Sequence, residues 1–473
     1  MKQSIILNTD SYKASMAYQY PENTTGVFSY ISSRGGKYKD LVFFGTQAFI
    51  KEYLSVPITQ EDIDLAESIW SAHGLPFYRE GWEYILNEKG GYLPLKIRAA
   101  PEGTIVPSGE VMLTIENTDP KCFWLTTYVE TALLRAIWYP VTVATNSREI
   151  KKVIAKYLDK TGDIAGLDFK LHDFGARGAS SNESAMIGGM AHLVNFMGTD
   201  TIAAVVGARH YYNEPIAGYS IPASEHSTIT SWGRDGEVYA YRNMVKQFGG
   251  KYPLIAVVSD SYDIFNAADN IWGKDLRQEV VDSGSTVVVR PDSGDPVEIV
   301  VKVTEILDKN FGSTVNDKGY KVLNNVRVIQ GDGIDIDTID DILEALTSLG
   351  YSADNIAFGM GGALLQAPQR DDQKFAMKAS SACVNGEWVD VFKDPITDKG
   401  KSSMKGRLAL SMQCGIGSCS LRTIPEDLTL GNWSKFDNFL EPVYCDGQIL
   451  NETSFCEIRD LAKIKSDGRG SYV

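Results

Sequence analysis

The sequence predicts an α/β protein with a (β/α) barrel-like catalytic domain inserted in a second, mixed α+β domain. Two observations carry this prediction. In the middle of the chain, short apolar runs alternate with helical patterns, and on both sides the chain returns to mixed strand-and-turn character. The 473 residues also exceed what one ordinary compact core accommodates. We expect residues 161–384 to form the barrel-like domain, and residues 1–160 with 385–473 to form the other.

The bulk composition narrows the function classes. With 43% hydrophobic and 23% charged residues, the chain can bury a sizeable core. Its net charge of −15 is the opposite of what a free-standing nucleic-acid binder carries, so no nucleic-acid partner is expected. Any basic residues that hold phosphates must therefore be gathered locally. No apolar run reaches the roughly 18 residues of a membrane span, so no membrane association is expected.

The six cysteines are scattered along the chain. This usage predicts reduced thiols and a cytoplasmic location. Cys414 and Cys419 could be half of a metal site, but no His or Cys pair follows at zinc-site spacing.

The first third of the chain mixes short strands and helices. Thr59 and Asp62 form a predicted capping box ahead of an amphipathic helix. A further helix is predicted over residues 123–138, and another is predicted to begin at a cap on Asn146.

The middle of the chain shows a strand–helix alternation. Apolar runs at residues 254–258, 286–289, 326–329 and 356–358 each end in Gly- and Asp-rich turns, and helical patterns cover residues 295–310 and 337–349. This alternation predicts parallel strands with crossover helices. Because the carboxyl ends of such strands face the active site, we expect four strand ends to share one mouth.

Glycines and aspartates at these strand ends suit a ribose-phosphate ligand. The backbone N–H groups of Gly361 and Gly362 could approach a phosphate, but a glycine loop alone is a weak signal, and a tight strand–helix turn is the more common explanation. Asp263, Asp292 and Asp332 could accept ribose hydroxyls or hold Mg²⁺, and each could equally cap a helix.

One histidine and several basic residues complete the candidates. His226 adjoins Glu225 in a polar segment that suits a reactive imidazole, whereas a lone histidine is more often structural. Arg34, Arg370 and Lys378 could bind pyrophosphate, and solvation at the surface is the alternative for each of them.

Distinctive segments occur in order along the chain: 9–13 (TDSYK), 116–120 (ENTDP), 139–149 (YPVTVATNSRE), 172–175 (HDFG), 198–201 (GTDT), 223–228 (ASEHST), 258–263 (VSDSYD), 290–294 (RPDSG), 329–333 (IQGDG), 391–395 (VFKDP) and 405–407 (KGR). Together they resemble nicotinamide phosphoribosyltransferase, of the type II phosphoribosyltransferase group. The resemblance implies the barrel of that group and a reaction in NAD salvage. Nicotinamide and 5-phosphoribosyl 1-pyrophosphate give nicotinamide mononucleotide and pyrophosphate.

The resemblance also implies the partners and cofactors. It implies a homodimer with active sites at the interface, Mg²⁺ as cofactor, and ATP as a co-substrate that phosphorylates a histidine. His226 is the implied phosphohistidine. Asp292, Asp263 and Asp332 complete the implied catalytic set, and Asp263 and Asp292 are the implied Mg²⁺ ligands.

Three binding sets follow from the matched motifs. The resemblance implies that the ring of Phe174 and Tyr12 of the partner subunit sandwich the nicotinamide ring. The implied nicotinamide set is Tyr12, Phe174, Asp200, Ser220, Arg290 and Asp10. The implied phosphoribosyl and phosphate set is Arg177, Ser259, Gly331, Asp332, Gly361 and Gly362. The implied pyrophosphate and ATP set is Arg34, Arg370, Lys378, Lys393 and Lys405.

Two positions depart from the family pattern. Met360 stands in the glycine loop where many members carry a small polar residue, and Ala376 replaces a hydroxyl near the phosphates. Both departures concern the phosphate end of the site, and therefore the coupling to ATP.

Three alternative functions compete with this interpretation. Nicotinate phosphoribosyltransferase shares the fold and the chemistry, but an acidic Asp200 would repel the carboxylate of nicotinate and accept an amide donor. An orotate- or purine-type transferase needs paired acids after an apolar run, whereas Asp340 and Asp341 lie in a helical pattern. A catalytically silent binding protein is disfavoured because His226, Asp292 and Asp332 are present.

Overall fold

The computed structural model describes residues 4–397, 402–415, 418–429, 436–467 and 471–473. Its contacts divide the chain into two compact units. The first unit comprises Met1–Thr145, His210–Glu214 and Gln369–Ala462, and the second comprises Asn146–Arg209, Pro215–Pro368 and Lys463–Val473. Both main junctions lie earlier than the predicted boundaries at 160/161 and 384/385. The second junction moves because the strand that covers residues 376–384 pairs with the sheet of the first unit.

Strands and helices are numbered here in chain order over the described residues. The strands are β1 (Thr24–Ser32), β2 (Asp40–Val42), β3 (Leu95–Ala99), β4 (Ile105–Pro107), β5 (Val111–Asn117), β6 (Leu171–Asp173), β7 (Gly198–Thr199), β8 (Leu254–Val258), β9 (Thr286–Arg290), β10 (Ser313–Val315), β11 (Lys321–Leu323), β12 (Val326–Gln330), β13 (Ile356–Met360), β14 (Ala376–Val384), β15 (Glu387–Asp390), β16 (Leu408–Gly415), β17 (Ser418–Pro425), β18 (Glu441–Cys445) and β19 (Gln448–Ile449).

The α-helices are α1 (Thr46–Phe49), α2 (Gln60–His73), α3 (Arg79–Glu88), α4 (Leu125–Tyr128), α5 (Glu130–Thr161), α6 (Asn182–Leu193), α7 (Ile202–Tyr212), α8 (His226–Thr230), α9 (Glu237–Phe248), α10 (Ile264–Asn266), α11 (Arg277–Ser283), α12 (Pro296–Phe311), α13 (Ile336–Ser348), α14 (Gly362–Leu365) and α15 (Phe455–Ala462). Two π-helical segments, Ile50–Leu54 and Ala267–Asp275, and several 3₁₀ turns lie between them.

The second unit is built on six parallel strands in the order β7-β6-β13-β12-β9-β8. Strands β8 and β9 are runs of Val, Ile and Ala that are almost wholly buried, as parallel strands covered by helices require. The crossover helices α12 and α13 bury one apolar stripe each, and Asp295 and Asp335 cap their first turns. The predicted strand–helix alternation is therefore confirmed.

A non-repetitive segment closes this sheet into a ring. Tyr219 exchanges backbone hydrogen bonds with the β7 side, donating to Met197 (2.7 Å) and accepting from Thr199 (3.0 Å). A few residues later, Pro222 accepts from Ala256 of β8 (2.9 Å), whose carbonyl accepts from Ser224 (3.0 Å). Both edges of the sheet are thus paired with the same short segment. The barrel-like architecture predicted from the sequence is confirmed, with an irregular segment in place of one regular strand.

The first unit contains a seven-stranded antiparallel sheet in the order β15-β14-β1-β5-β3-β18-β19. Strands β1, β5 and β3 from the N-terminal part of the chain form its centre, and strands from the C-terminal part flank them, because β14 pairs with β1 and β18 pairs with β3. A large apolar core packs against the sheet, and the rings of Trp82, Trp124 and Tyr128 meet edge to face within it. The capping box of Thr59 and Asp62 opens α2 as predicted.

Helix α5 differs from the prediction. One helix of 32 residues runs from Glu130 to Thr161, where the sequence predicted a break and a new cap at Asn146. The break is absent because the buried stripe of Leu133, Ile137, Val141 and Ala144 continues through this region at helical spacing. Pro140 lies inside the helix and is accommodated there.

The cysteines also differ from the prediction. Cys414 and Cys419 face each other across the β16–β17 hairpin, with 4.0 Å between their Cα atoms, and form a disulfide. The expectation of reduced thiols is wrong for this pair, whereas Cys122, Cys383, Cys445 and Cys456 are free. Within the described ranges, no helix has both the length and the apolar character that crossing a bilayer requires.

Candidate active site

The carboxyl ends of the parallel strands carry most of the candidate residues. Phe174 follows β6, Asp200 follows β7, Asp260 and Asp263 follow β8, Asp292 follows β9, Asp332 follows β12, and Gly361 and Gly362 follow β13. Because these strands are parallel, their carboxyl ends open on one side of the ring. We call these residues, with Ser220 and His226, the strand-end group.

His226 is held by an aspartate that the sequence reasoning quoted in a motif but gave no role. The Nε2 atom of His226 lies 3.0 Å from Oδ1 of Asp260, and its Nδ1 atom lies 4.0 Å from Oδ2 of Asp292. The second carboxylate oxygen of Asp260 accepts the Asp292 N–H (3.1 Å) and the Ser293 hydroxyl (2.6 Å). Asp260 therefore orients both the imidazole and the loop after β9. With the proton on Nε2, Nδ1 keeps its lone pair for chemistry.

Asp292 lies at the centre of a group of charges. Burial raises the pKa of its carboxyl group, Asp260 and Asp332 raise it further, and Arg290 and His226 oppose the shift. An excess of carboxylates in a half-buried mouth favours hydroxyl donors or a hard cation. Asp292 and Asp332 are thus brought together as the sequence predicted.

Asp263 has a different environment. It is exposed, and its Oδ1 atom accepts the N–H groups of Phe265 and Asn266, both at 3.0 Å. This is the geometry of a helix cap, the alternative that the sequence left open for it.

The ring of Phe174 forms one wall of the strand-end group. The backbone N–H of Phe174 donates to the Met360 carbonyl (3.0 Å). A Cβ atom on Gly359 would lie 1.9 Å from the ring, so only glycine fits beneath it. A Cβ atom on Gly331 would lie 3.4 Å from the ring and equally 3.4 Å from Oδ1 of Asp292. The aromatic wall and the carboxylates therefore adjoin each other.

Asp200 and Ser220 form a polar pair at the end of β7, the strand next to β6. The Ser220 hydroxyl donates to Oδ1 of Asp200 (2.5 Å), and both side chains are exposed. Since Asp200 follows β7 and Ser220 belongs to the closing segment, the irregular part of the ring brings them together. The Nε atom of Arg290 is buried and has no hydrogen-bond partner among the described residues. This leaves one carboxylate oxygen and one guanidinium donor for a ligand.

The glycine loop packs against the turn that carries Arg177. A Cβ atom on Gly175 would lie 2.9 Å from the Gly361 carbonyl, and one on Gly178 would lie 3.5 Å from Gly362 Cα. Arg177, exposed between these two contacts, is thus placed beside the backbone N–H groups of the glycine loop. This arrangement suits a phosphate.

Ser259 does not belong to the phosphoribosyl set. Its side chain is fully buried, and its hydroxyl donates to the Val257 carbonyl (2.9 Å) and accepts from the indole N–H of Trp272 (3.1 Å). The hydroxyl is therefore engaged within the protein, which contradicts its predicted contact with a ligand. Its motif matched the family, but the motif alone does not distinguish a buried serine from an exposed one.

Basic residues of the first unit gather around Lys378 on β14. Burial lowers the pKa of Lys378, Glu130 opposes this effect, and Arg34, Lys13 and Lys393 lower the pKa further. Glu130 forms an ion pair with the buried Lys13 and lies 3.8 Å from the Lys378 ammonium. We call Lys13, Arg34, Lys378 and Lys393 the basic group. The sequence reasoning missed both Lys13 and Glu130.

Backbone pairing holds the basic group in place. Tyr30 of β1 lies opposite Lys378 of β14. The backbone N–H and the Nε atom of Arg34 donate to the carbonyls of Gln373 (3.2 Å) and Lys374 (3.3 Å). The segment that carries Lys393 is tied to the same strand, because the carbonyl of Ser380 accepts the Val391 N–H.

Two further predicted phosphate ligands have acidic partners. Arg370 lies 3.0 Å from Asp371, and Lys405 lies 3.3 Å from Asp390. Both ion pairs are largely exposed, so replacing either acidic partner with a phosphate costs little free energy.

Tyr12 and Asp10 lie in the first unit. The Tyr12 ring is 57% exposed on a 3₁₀ turn, and Oδ2 of Asp10 accepts the Thr131 hydroxyl (2.7 Å). Such an exposed ring can stack on a ligand or on a second molecule.

The described residues contain no group of three or more His, Cys, Asp or Glu side chains placed to hold a metal by themselves. Mg²⁺ is commonly bound by one or two carboxylates together with substrate phosphates. Asp292 offers carboxylate oxygens, and the neighbouring carboxylates of Asp260 and Asp332 make its surroundings negatively charged. The residues present therefore fit Mg²⁺ bound jointly with substrate.

Comparisons with known proteins relate this chain to two family models and to individual relatives. Residues 169–447 match the nicotinate phosphoribosyltransferase (NAPRTase) family, and residues 4–97 match the nicotinamide phosphoribosyltransferase N-terminal domain. The chain is 54% identical to a nicotinamide phosphoribosyltransferase of Xanthomonas campestris, over 96% of this chain and 97% of that protein. It is 33% identical to one of Acinetobacter baylyi, over 84% and 86% of the two chains.

Solved structures show the same fold at lower identity. Nicotinate-nucleotide pyrophosphorylase of Pyrococcus furiosus superposes with a TM-score of 0.62 at 19% identity, covering 97% of this chain and 94% of that one. Human nicotinic acid phosphoribosyltransferase gives 0.58 at 16% identity, covering 96% and 92%.

Proposed function

Since this chain belongs to the nicotinamide phosphoribosyltransferase family, we propose that it transfers the phosphoribosyl group of 5-phosphoribosyl 1-pyrophosphate to nicotinamide, a reaction of NAD salvage. The observation that carries this proposal is the Phe174 wall. An aromatic ring, packed on Gly359 and adjoining Asp292, follows β6, and the Asp200–Ser220 pair lies at the end of the neighbouring strand β7. A flat heteroaromatic amide and a ribose fit these two surfaces.

The reaction requires positioning more than proton transfer. The ring nitrogen of nicotinamide forms a bond to the anomeric carbon, while the bond from that carbon to the pyrophosphate oxygen breaks and its electron pair leaves with pyrophosphate. In this proposal Phe174 stacks on the ring, and Asp200 accepts the carboxamide N–H₂. Asp292 and Asp332 accept ribose hydroxyls and stabilise the positive charge that develops on the sugar.

The phosphates use the basic and backbone donors. Gly361, Gly362 and Arg177 are assigned to the 5′-phosphate. The basic group, with Arg370 and Lys405, is assigned to pyrophosphate, whose negative charge grows as the bond breaks. Bound Mg²⁺ would neutralise part of that charge, and Asp292 is its candidate ligand, because the Asp263 carboxylate caps α10.

ATP coupling belongs to the same proposal. Nδ1 of His226 attacks the γ-phosphorus of ATP, the P–N bond forms, and the electron pair of the broken P–O bond leaves with ADP. Asp260 supports this role because it holds Nε2 and leaves Nδ1 free to react. Met360 is buried and meets Phe174 through its carbonyl, and Ala376 is buried on β14. Neither departure from the family pattern removes a charged group from the mouth.

A homodimer is the assembly we propose, with the basic group and Tyr12 of each chain serving the strand-end group of the other. Exposed apolar side chains support it. Besides Tyr12, Ile202 and Val206 project from one face of α7 with 70% and 58% of their surface exposed, and they lie two and six residues after Asp200. A cytoplasmic location is proposed on the four free cysteines.

Nicotinate is the second candidate substrate, since the family match over residues 169–447 is to nicotinate phosphoribosyltransferase. The test is incubation with Mg²⁺, 5-phosphoribosyl 1-pyrophosphate and either base, with and without ATP, followed by mass analysis of the mononucleotide. We expect nicotinamide mononucleotide, formed faster with ATP in the native enzyme but not in His226→Ala. Product mainly from nicotinate would replace the substrate assignment, and no product from either base would contradict the proposed function.

A further inference from the structure

We propose that Asp173 is a positioning residue that fixes both walls of the nicotinamide pocket, Phe174 and Asp200, relative to each other. The proposal rests on the function proposed above. Asp173 is the last residue of β6, and its side chain has no exposed surface. It cannot touch a substrate, so any role in binding must act through its neighbours.

One carboxylate oxygen fixes the turn that carries Phe174. Oδ1 of Asp173 accepts the Gly175 N–H at 2.7 Å, and the Phe174 N–H donates to Met360 at 3.0 Å. The backbone of Phe174 is thus held on both sides, by its own N–H and by that of the following residue. From this backbone the ring packs on Gly359, where a Cβ atom would lie 1.9 Å from it.

The other carboxylate oxygen fixes the turn that carries Asp200. Oδ2 of Asp173 accepts the Thr199 hydroxyl at 3.4 Å, and the same hydroxyl accepts the Thr201 N–H at 3.0 Å. The N–H of Asp200 itself donates to the Asp173 carbonyl at 2.9 Å. Residues on both sides of Asp200 are therefore tied, directly or through one hydroxyl, to Asp173.

The Asp173 carboxylate is closely packed against its neighbours. A Cβ atom on Gly189 of α6 would lie 3.1 Å from Oδ2 of Asp173 and 2.6 Å from the Ala204 side chain. No larger residue fits at that point without moving the carboxylate. Burial raises the pKa of Asp173, and the nearby charge of Asp200 adds to this, while the hydrogen bonds from Gly175 and Thr199 lower it. Those donors stabilise the ionised form, which accepts at both oxygens.

A purely structural role predicts something different from a positioning role. If Asp173 only supported the barrel, its loss would lower stability and affect both substrates alike. If it positions the two walls, its loss should weaken nicotinamide binding and leave the phosphoribosyl substrate almost unaffected. Most groups assigned to that substrate lie elsewhere, because Asp292, Asp332, Gly361 and Gly362 follow β9, β12 and β13 and the basic group belongs to the first unit. Arg177 is the exception, since it lies on the turn after β6 that Asp173 holds through Gly175, and it is one of several donors assigned to the phosphates.

The experiment compares Asp173→Asn and Thr199→Val with Thr199→Ser, which keeps the hydroxyl, and with Asp308→Asn as a matched control. Asp308 is a hydrogen-bonded carboxylate of the same unit that accepts from Lys321 and Tyr351, away from the strand-end group. For Asp173→Asn we expect KM for nicotinamide to rise about tenfold, the effect of one lost charge-assisted hydrogen bond, with KM for 5-phosphoribosyl 1-pyrophosphate within about twofold.

Thr199→Val should show a smaller rise, and Thr199→Ser and Asp308→Asn should show none. Calorimetric titration of nicotinamide should show the same weakening without turnover. Equal effects on both substrates, or a loss of thermal stability with unchanged KM, would overturn the proposal. If Asp173→Asn does not fold, the Thr199 pair carries the test. A native enzyme that makes no nicotinamide mononucleotide would instead contradict the proposed function.

Discussion

The strand-end group and the basic group are built in different ways. Each member of the strand-end group follows a strand or the closing segment, and the parallel order of the sheet brings these chain positions to one side. The basic group depends on antiparallel pairing between β1 and β14, which lie more than 300 residues apart in the chain. The first arrangement is a property of a local repeat, and the second is a property of the whole fold. The two groups should therefore respond differently to substitution.

The largest effect is expected within the strand-end group. Asp292→Asn should lower kcat/KM by about 10³, because a charge that faces the developing positive sugar is lost. Asp263→Asn is the matched variant, and it should cost about 1 kcal/mol of stability as a helix cap, with little change in kcat. Steady-state kinetics and urea unfolding of both variants check this contrast. Equal kinetic losses would show that Asp263 acts in catalysis after all.

A smaller effect is expected in the basic group. Lys378→Ala should lower kcat/KM for 5-phosphoribosyl 1-pyrophosphate by about 10², the order of loss when one positioned donor is removed. KM for nicotinamide should stay within about twofold. Lys321→Ala is the control, since Lys321 pairs with Asp308 outside both groups. Loss of nicotinamide binding in Lys378→Ala would break the division between the two groups.

Substrate choice should shift more modestly. Asp200→Ser should move the ratio of kcat/KM for nicotinamide over nicotinate by about tenfold toward nicotinate, because the carboxylate that repels the acid is removed. Competition between the two bases at equal concentration measures the ratio. An unchanged ratio would remove Asp200 from the specificity determinants.

The smallest effect concerns stability in the second unit. Burial lowers the pKa of His192 to about 3. In the unfolded chain a histidine has a pKa of about 6.5, so below that pH only the unfolded state takes up the proton. The contribution of neutral His192 to the free energy of unfolding is fully present above this pH and is lost as the pH falls toward 3. At pH 5 the loss is about 2 kcal/mol. Urea unfolding at pH 7 and pH 5 should show this slope, and His192→Gln should reduce it. An equal slope in both proteins would refute the assignment.

The same contrast explains what the sequence could predict. The strand ends with Asp292, Asp332 and Gly361 were predictable because apolar runs and turn residues are local signals. Lys13 and Glu130 were missed because they are 117 residues apart and meet only in the folded chain. The Cys414–Cys419 disulfide was missed for a related reason, since it depends on the register of a hairpin.

Two further residues, Asp260 and Ser259, have roles that the sequence did not reveal. Asp260 was overlooked because an aspartate after a strand is an ordinary turn residue, and only the 3.0 Å contact with His226 reveals its role. Ser259 was misassigned because its motif carries no information about burial. In both cases the residue type was visible in the sequence and its surroundings were not.

We infer that the strand-end group binds nicotinamide and that the basic group binds pyrophosphate. Separate binding measurements test this division most directly. Calorimetric titration of nicotinamide and of pyrophosphate with Mg²⁺ would be made on the native protein, Phe174→Ala and Lys378→Ala. We expect Phe174→Ala to lose nicotinamide binding and keep pyrophosphate binding, and Lys378→Ala to do the reverse. If either variant weakens both ligands to the same extent, the division of work between the two groups is contradicted.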